Sequence, residues 1–130
     1  MIARIKVGRR LLRSPLRAVV NSTTGHTLAK RVRVVDSFLG RLRGLMFRRS
    51  LPQDEGLVLR PCGSIHMMFM FFPIDAVFFD RDPRVTRVSR HVRPRVGLAF
   101  GGRGAKGVVE LPVGAANGVK PGHQLALEPV

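Results

Sequence analysis

The segment 64–80 constrains the fold more than any other part of the chain, because it is apolar on both faces. It holds five of the eight phenylalanines and three of the five methionines. Its residues form two predicted strands, 64–70 and 74–79, joined by a tight connection at 71–73. A strand that is apolar on both faces must be covered on both sides. We therefore expect these strands to pair in the centre of a sheet, between a helix and an opposite wall.

The remaining strands are predicted from alternating apolar and polar residues that are bounded by turn residues. Thr24 and Gly25 supply the turn of an N-terminal hairpin, and the glycine-rich segment 94–104 is predicted to be a loop. These further strands are predicted at 17–22, 27–35, 56–60, 85–92, 106–111 and 124–128.

One helix is predicted over 38–46, where apolar residues recur at helical spacing. Asp36 and Ser37 are suitable N-cap residues, and Gly44 can end the helix. The pattern predicts a mainly β (α+β) protein, a single compact antiparallel β-barrel-like domain with one short helix. We place this domain at 17–130, after a basic N-terminal tail at 1–16.

The net charge of +15 is concentrated in the first 50 of the 130 residues. Residues 1–50 contain 13 lysines and arginines against one acid, whereas 51–130 contain 10 against 7 acids. A basic half favours anionic partners such as nucleic acid or acidic lipid. The alternative is a solvated surface without a partner, because arginine supplies 19 of the 23 cations.

The single cysteine, Cys62, cannot form an internal disulfide, so the sequence carries no mark of an oxidising compartment. No segment approaches the roughly 18 uninterrupted apolar residues of a membrane span. Cations at positions 4–17 interrupt every apolar stretch that a signal peptide would need. We therefore predict a cytoplasmic protein with no transmembrane segment.

His66 and Asp75 are the polar residues of the apolar segment, and they are the candidate catalytic pair. A buried carboxylate needs a partner, and an imidazole would satisfy it. The functional interpretation is a general base or a polar anchor in a pocket. The structural interpretation is a buried polar pair that fixes strand register, or an aspartate that caps the turn after Pro73.

Soft ligands also occur here, because Cys62, His66, Met68 and Met70 are close in sequence. Thiol, imidazole and thioether groups suit copper(I), and alternate residues of a strand share a face. The alternative is that the methionines only fill the core. We predict no cofactor.

Arg43 and Glu110 are charged residues in otherwise apolar surroundings. Either they form a bridge that ties the helix to the sheet, or Arg43 holds an anionic group in a pocket. The predicted ligand-binding residues are Arg43, His66, Met70, Asp75 and Glu110.

Four segments, 43–48, 64–70, 72–80 and 109–114, resemble in the same order the bacterial and archaeal domain of unknown function 192 family. The subset of the family that the chain resembles most has Ser-Ile-His followed by Phe-Met, as in 64–70, whereas many other members carry Trp and Lys near those positions. The segment 118–125 fits as well. The resemblance spans 26–127. It implies a compact, β-rich single domain, and it implies no established activity.

These observations predict a small domain that binds a small ligand or a partner through a polar pocket. A binder of nucleic acid or another anionic surface, through the basic half at 1–50, is the second hypothesis. The third is a small enzyme that uses His66 and Asp75 as an acid–base pair.

Overall fold

The computed structural model of the protein describes residues 16–37, 45–46 and 48–130. Nine strands and no helix lie in this part of the chain. In chain order the strands are β1 (Arg17–Asn21), β2 (His26–Val35), β3 (Glu55–Leu59), β4 (Ser64–His66), β5 (Ile74–Phe79), β6 (Val85–Val92), β7 (Leu98–Phe100), β8 (Gly107–Leu111) and β9 (Leu125–Pro129).

Seven of these strands form one curled sheet in the order β6-β5-β8-β3-β2-β1-β9. Its two edges meet at one end, where Arg84 bridges to Gln124 and the Leu125 amide donates to the Pro83 carbonyl over 2.8 Å. Curling brings the edge strands together and reduces the unpaired edge that the sheet exposes. The sheet is therefore a half-barrel, and β4 and β7 form a separate two-stranded antiparallel sheet.

The inner face of the half-barrel carries one apolar cluster, to which all seven strands contribute. Val77 of β5 pairs with Val109 of β8, and both side chains are fully buried in this cluster. Because side chains alternate along a strand, the next residues of β5 and β8 point to the outer face.

The outer face carries a second cluster, in which Phe78 of β5 and Val108 of β8 pack with the small sheet. Ile65 of β4 and Ala99 of β7 supply the covering side chains from that sheet. All six residues of β5 and all five of β8 are buried because both faces of these strands are covered.

The mainly β, barrel-like prediction is confirmed, and so is the N-terminal hairpin of β1 and β2. The Gly25 amide donates to the Asn21 carbonyl over 2.7 Å, and the φ of Gly25 is 81°. A glycine adopts this left-handed conformation without a steric penalty, which explains its position in the turn.

One strand pair departs from the antiparallel prediction, since β2 and β3 run parallel. Parallel neighbours need a long crossover connection. The segment 36–54 between them supplies it, and alternation within each strand gives no information about strand direction.

The predicted pairing of 64–70 with 74–79 is wrong. β4 ends at His66 and pairs with β7, while β5 lies between β6 and β8. A turn ends β4, because the Met70 amide donates to the Met67 carbonyl over 3.0 Å and Phe69 has a φ of 62°. The predicted loop at 94–104 contains β7, whose three residues are too few to show alternation.

Most of the predicted helix, including 38–44 and therefore Arg43, lies outside the described residues, as do residues 1–15 of the predicted tail. Leu45 and Met46 form a turn, and Leu45 is buried in the cluster on the outer face.

Candidate functional site

An apolar cavity of about 40 Å³ lies at one end of the half-barrel interior. Strands from opposite walls line it, so it marks the place where the curled sheet does not close completely on itself. The lining residues are Val19, Val58, Arg60, Phe79, Pro83, Val109, Leu125, Ala126 and Leu127.

Phe79 shapes this cavity through its contact with Gly107, the residue opposite it on β8. A Cβ atom at position 107 would lie 2.3 Å from the Cζ atom of the Phe79 ring. The tip of the ring therefore packs against the glycine backbone, which only a residue without a side chain permits. This arrangement keeps the ring at the edge of the cavity.

A more open cleft of about 350 Å³ adjoins the cavity and shares Arg60, Phe79 and Pro83 with it. Arg60, Arg81 and Lys106 supply three cationic side chains to the cleft. Arg60 follows the last residue of β3, Arg81 lies two residues after β5, and Lys106 precedes the first residue of β8. The strand pairing brings these three strand termini to the same end of the sheet.

The two acids of the cleft already have partners. Asp36 accepts a hydrogen bond from Nε of Arg60 over 3.1 Å, in a pair that is exposed on both sides. One Asp80 carboxylate oxygen, Oδ1, accepts from the Asp82 and Arg84 amides, each over 2.9 Å, and thereby fixes the turn after β5. An exposed ion pair contributes little free energy, so Arg60 can exchange its partner at low cost.

Arg81 and Lys106 donate no side-chain hydrogen bond to any residue that the structure describes, and both side chains are exposed. Convergent cations beside an apolar cavity can bind the anionic group of a small molecule while the cavity receives its apolar end. The sequence interpretation missed these residues. Each of them lies within two residues of the end of a strand. This position could identify a common site only if the order of the strands in the sheet were already known.

Asp75 lies on the inner face and is 1% exposed. Its Oδ1 accepts from the His91 amide over 2.9 Å, and its Oδ2 accepts from the Gly114 and Ala116 amides over 2.9 and 3.2 Å. His91 has a left-handed φ of 51° at a register shift between β5 and β6. Asp75 therefore holds this irregularity and the turn after β8 in place.

His66 lies elsewhere, on the exposed side of β4, where its Nδ1 accepts from the Met68 amide over 3.3 Å. Asp75 accepts only from backbone amides, so no hydrogen bond joins it to His66. The contact between the two side chains that an acid–base pair requires is absent. The predicted cap of the turn after Pro73 is not what Asp75 forms, because its donors lie at the register shift before Val92 and in the turn after β8.

The side chains predicted as copper ligands also lie apart from one another. Met70 is buried in the cluster on the outer face, whereas Met68 is 54% exposed, because the strand ends before both of them. The premise that His66, Met68 and Met70 share a strand face is therefore wrong. The Cys62 thiol donates to the Ser64 carbonyl over 3.1 Å. Within 16–37, 45–46 and 48–130, no three His, Cys, Asp or Glu side chains are arranged to hold a metal ion.

Glu110 lies on the outer face between Leu57 and Ala76, and it is 5% exposed. Its carboxyl group makes no hydrogen bond with the residues that the structure describes. Burial raises the pKa of Glu110 from 4.5 to about 7, because water no longer stabilises the charged form. Glu110 does not line the cavity or the cleft described above.

A sequence profile of the DUF192 family, described as "Uncharacterized ACR", matches residues 19–127. The chain belongs to the DUF192 family. The resemblance found in the sequence is thereby confirmed. No helix in the described part of this DUF192 chain is long and apolar enough to cross a membrane.

Relatives of this DUF192 chain occur in archaea and carry the name UPF0127 protein. The chain is 35% identical to one from Thermococcus sibiricus over 100 residues, which is 74% of this chain and 64% of that protein. It is 32% identical to one from Pyrococcus horikoshii over 106 residues, which is 79% of this chain and 90% of that protein. The chain thus spans less than two thirds of the Thermococcus sibiricus relative.

Two solved structures share the fold of this DUF192 domain. A protein of unknown function from Novosphingobium aromaticivorans has a TM-score of 0.75 and 25% identity, and the match covers 85% of this chain and 83% of that chain. A proposed transcription regulator from Sinorhizobium meliloti has a TM-score of 0.73 and 22% identity, with coverages of 88% and 95%. The half-barrel is therefore a shared fold.

Proposed function

We propose that this DUF192 domain binds a small amphipathic anion at the open end of its half-barrel. The apolar end of the ligand enters the cavity, and its anionic group lies in the adjoining cleft. The observation that carries this proposal is the junction of an apolar cavity of about 40 Å³ with a cleft that holds three cationic side chains.

The size of the cavity sets the size of the apolar end. A cavity needs only about 10–15 Å³ to hold a water molecule, so this one has room for more than a single atom. Its lining is almost entirely apolar, which favours a hydrocarbon group over water. Two buried methylene groups contribute about 1.6 kcal/mol, or roughly tenfold in affinity.

The charge of the cleft sets the class of the polar group. Arg60, Arg81 and Lys106 outnumber Asp36 and Asp80, and both acids accept hydrogen bonds from the protein. Arginine and lysine together suit phosphate and carboxylate groups, which accept several charge-assisted hydrogen bonds. A ligand with one such group at the end of a short alkyl chain matches both parts of the site.

This proposal keeps the predicted binding of a small ligand, and it moves the site away from His66 and Asp75. A pocket lined by Arg43, His66, Met70, Asp75 and Glu110 stays a prediction, as does anion binding by 1–50. Joint catalysis by His66 and Asp75 is not proposed, because no hydrogen bond joins their side chains. A cytoplasmic location also stays a prediction. The lone cysteine supports it, since no internal disulfide can form.

The test titrates butyl phosphate, inorganic phosphate and 1-butanol into isotope-labelled protein and follows backbone amide shifts. We expect butyl phosphate to shift Ala126, Arg81 and Lys106 together and to bind about tenfold more tightly than inorganic phosphate. Leu127 lines the cavity and pairs with the inward-facing Val19, so Leu127→Phe places a larger side chain in the cavity and should remove that advantage without changing the affinity for inorganic phosphate.

Charge variants separate the cleft from the general basicity of the protein. Arg81→Ala should lower the affinity for butyl phosphate and for inorganic phosphate at least threefold. Arg103→Ala makes the same charge change outside the cleft and should change both affinities less than twofold. Equal affinities for the two phosphates, or equal effects of the two arginine substitutions, would refute the proposal.

A further inference from the structure

The small sheet and its neighbouring loops expose a group of large apolar side chains, which we name the apolar patch. Its exposed fractions run from 49% for Phe71 to 77% for Val96. Soluble proteins scatter single apolar residues over their surfaces, but a contiguous group marks an interaction site. The members of the apolar patch are Met68, Phe69, Phe71, Val96, Leu98 and Phe100.

Hydrogen bonds make the patch contiguous. Leu98 of β7 lies opposite His66 of β4 in the small sheet. Beyond the sheet, the Met67 amide donates to the Gly97 carbonyl and the Arg95 amide donates to the Met67 carbonyl, each over 2.9 Å. The loop 67–71 therefore lies beside the loop 94–97, and both extend the exposed face of the sheet.

The local backbone holds these side chains outward. In the small sheet Ala99 faces the core, so its neighbours Leu98 and Phe100 face solvent. Phe69 and Arg95 have left-handed φ values of 62° and 68°. A residue with a side chain adopts this conformation only at a steric cost, and strain of this kind persists mainly at functional sites.

The segments that carry the apolar patch contain charged residues of positive sign only. The segments 62–72 and 87–104 contain five arginines and no acid. Nη1 of Arg87 approaches the Phe100 carbonyl at 3.4 Å, and the exposed Arg93 and Arg95 flank the loop that carries Val96. An apolar centre with a cationic rim is complementary to a surface that is apolar inside and anionic outside.

We propose that the apolar patch docks this domain on an anionic lipid bilayer. Met68, Val96 and Leu98 enter the boundary of the acyl chains, while Arg87, Arg93 and Arg95 contact lipid phosphates. Arginine suits this position because its stem packs on apolar surface and its guanidinium group stays at the headgroups. The proposed surface differs from the basic N-terminal half, and it is independent of the ligand site.

The composition of the patch favours a bilayer over a single-stranded nucleic acid. Nucleic-acid strands bind through aromatic side chains on which successive bases stack. Here the two most exposed side chains, Val96 and Leu98, are aliphatic and offer no ring for stacking. Aliphatic side chains are instead stabilised by contact with hydrocarbon.

The first test measures flotation of the full chain with vesicles of phosphatidylcholine alone or mixed equally with phosphatidylglycerol. Val96→Glu and Val130→Glu are a matched pair, because both valines are 77% exposed and the charge change is the same. We expect Val96→Glu to lower the partition coefficient on the anionic vesicles at least tenfold. Val130→Glu should lower it less than twofold, with melting temperatures unchanged in both variants.

A second test reports insertion directly. The chain has no tryptophan and no tyrosine, so Phe100→Trp introduces a single fluorophore into the patch. We expect its emission to shift to the blue on anionic vesicles and to be quenched by lipids with brominated acyl chains. The control Val130→Trp should show neither effect.

Three outcomes would overturn the proposal. The first is equal loss of vesicle binding in the two glutamate variants, which would reduce the interaction to net charge. The second is equal binding to neutral and anionic vesicles. The third is absence of vesicle binding; if a single-stranded oligonucleotide then bound and Val96→Glu abolished that binding, the patch would be assigned to nucleic acid.

Discussion

The inner and outer faces of the half-barrel each bury one carboxyl group, on the neighbouring strands β5 and β8. On the inner face, Asp75 accepts three backbone hydrogen bonds. On the outer face, burial without a hydrogen-bond partner in the described residues raises the pKa of Glu110 to about 7. The two buried acids therefore differ in their hydrogen bonds, and a buried carboxyl group stabilises the fold only where donors satisfy it.

Removing the inner carboxylate should have the largest effect. Asp75→Ala leaves the amides of His91, Gly114 and Ala116 without their acceptor, in one fully buried and two partly buried hydrogen bonds. At about 1–3 kcal/mol for each unsatisfied group, we expect a loss of about 4 kcal/mol in the free energy of unfolding. Urea unfolding followed by circular dichroism at pH 7 measures it.

The matched control is Glu128→Ala, which removes an exposed acid from β9 and should change stability by less than about 0.5 kcal/mol. If Asp75→Ala cost no more than Glu128→Ala, the contrast between the inner and outer carboxyl groups would disappear.

Removing the outer carboxyl group should act in the opposite direction. The pKa of Glu110 is about 7 in the folded protein and 4.5 as the ordinary value. The unfolded chain thus releases the proton first, and the stability present below pH 4.5 declines until the pH passes 7. Between pH 4.5 and about pH 7, the free energy of unfolding of the wild type should therefore fall by about 3 kcal/mol relative to that of Glu110→Gln, whose side chain cannot titrate.

Urea unfolding at pH 5 and pH 8 measures this difference. Glu110→Gln should be the more stable protein at pH 8, and most of its advantage should be gone at pH 5. A constant difference between the two proteins across this range would show that Glu110 keeps its ordinary pKa in the fold.

The sequence was sufficient to predict most strands, and insufficient to predict the surroundings of the two carboxyl groups. Alternation and turn residues locate β5 and β8 because both signals are local. The donors to Asp75 lie 16, 39 and 41 residues away along the chain, so they depend on which strands become neighbours. The same limit explains the incorrect pairing of β4 and the missed cations Arg81 and Lys106.

A smaller effect is expected at the cavity on the inner face. Gly107→Ala places a methyl group where the Phe79 ring lies and should push the ring into the cavity. Overpacking of this kind costs about 1–3 kcal/mol. The variant should also lose the preference for butyl phosphate over inorganic phosphate, which the amide-shift titration measures.

Gly63→Ala is the control, because a Cβ atom there would lie 3.7 Å from the Ala105 carbonyl oxygen, an ordinary contact. It should leave stability and ligand preference unchanged. Equal stability of the two alanine variants would mean that the Phe79 ring is not confined by Gly107.

The smallest effect is expected for His66→Ala, which tests the other member of the predicted acid–base pair. His66 is exposed on β4, and its side chain accepts one long hydrogen bond, from the Met68 amide at 3.3 Å. An exposed bond of this kind contributes at most about 0.5 kcal/mol. If Asp75 and His66 worked as one unit, their substitutions would be coupled, and the double variant would lose less stability than the sum of the two single losses. Asp75 lies on the inner face of the large sheet and His66 on the exposed side of the small sheet, and they share no hydrogen-bond partner in the described residues. We therefore expect the two losses to add, and urea unfolding of the three variants decides between these results.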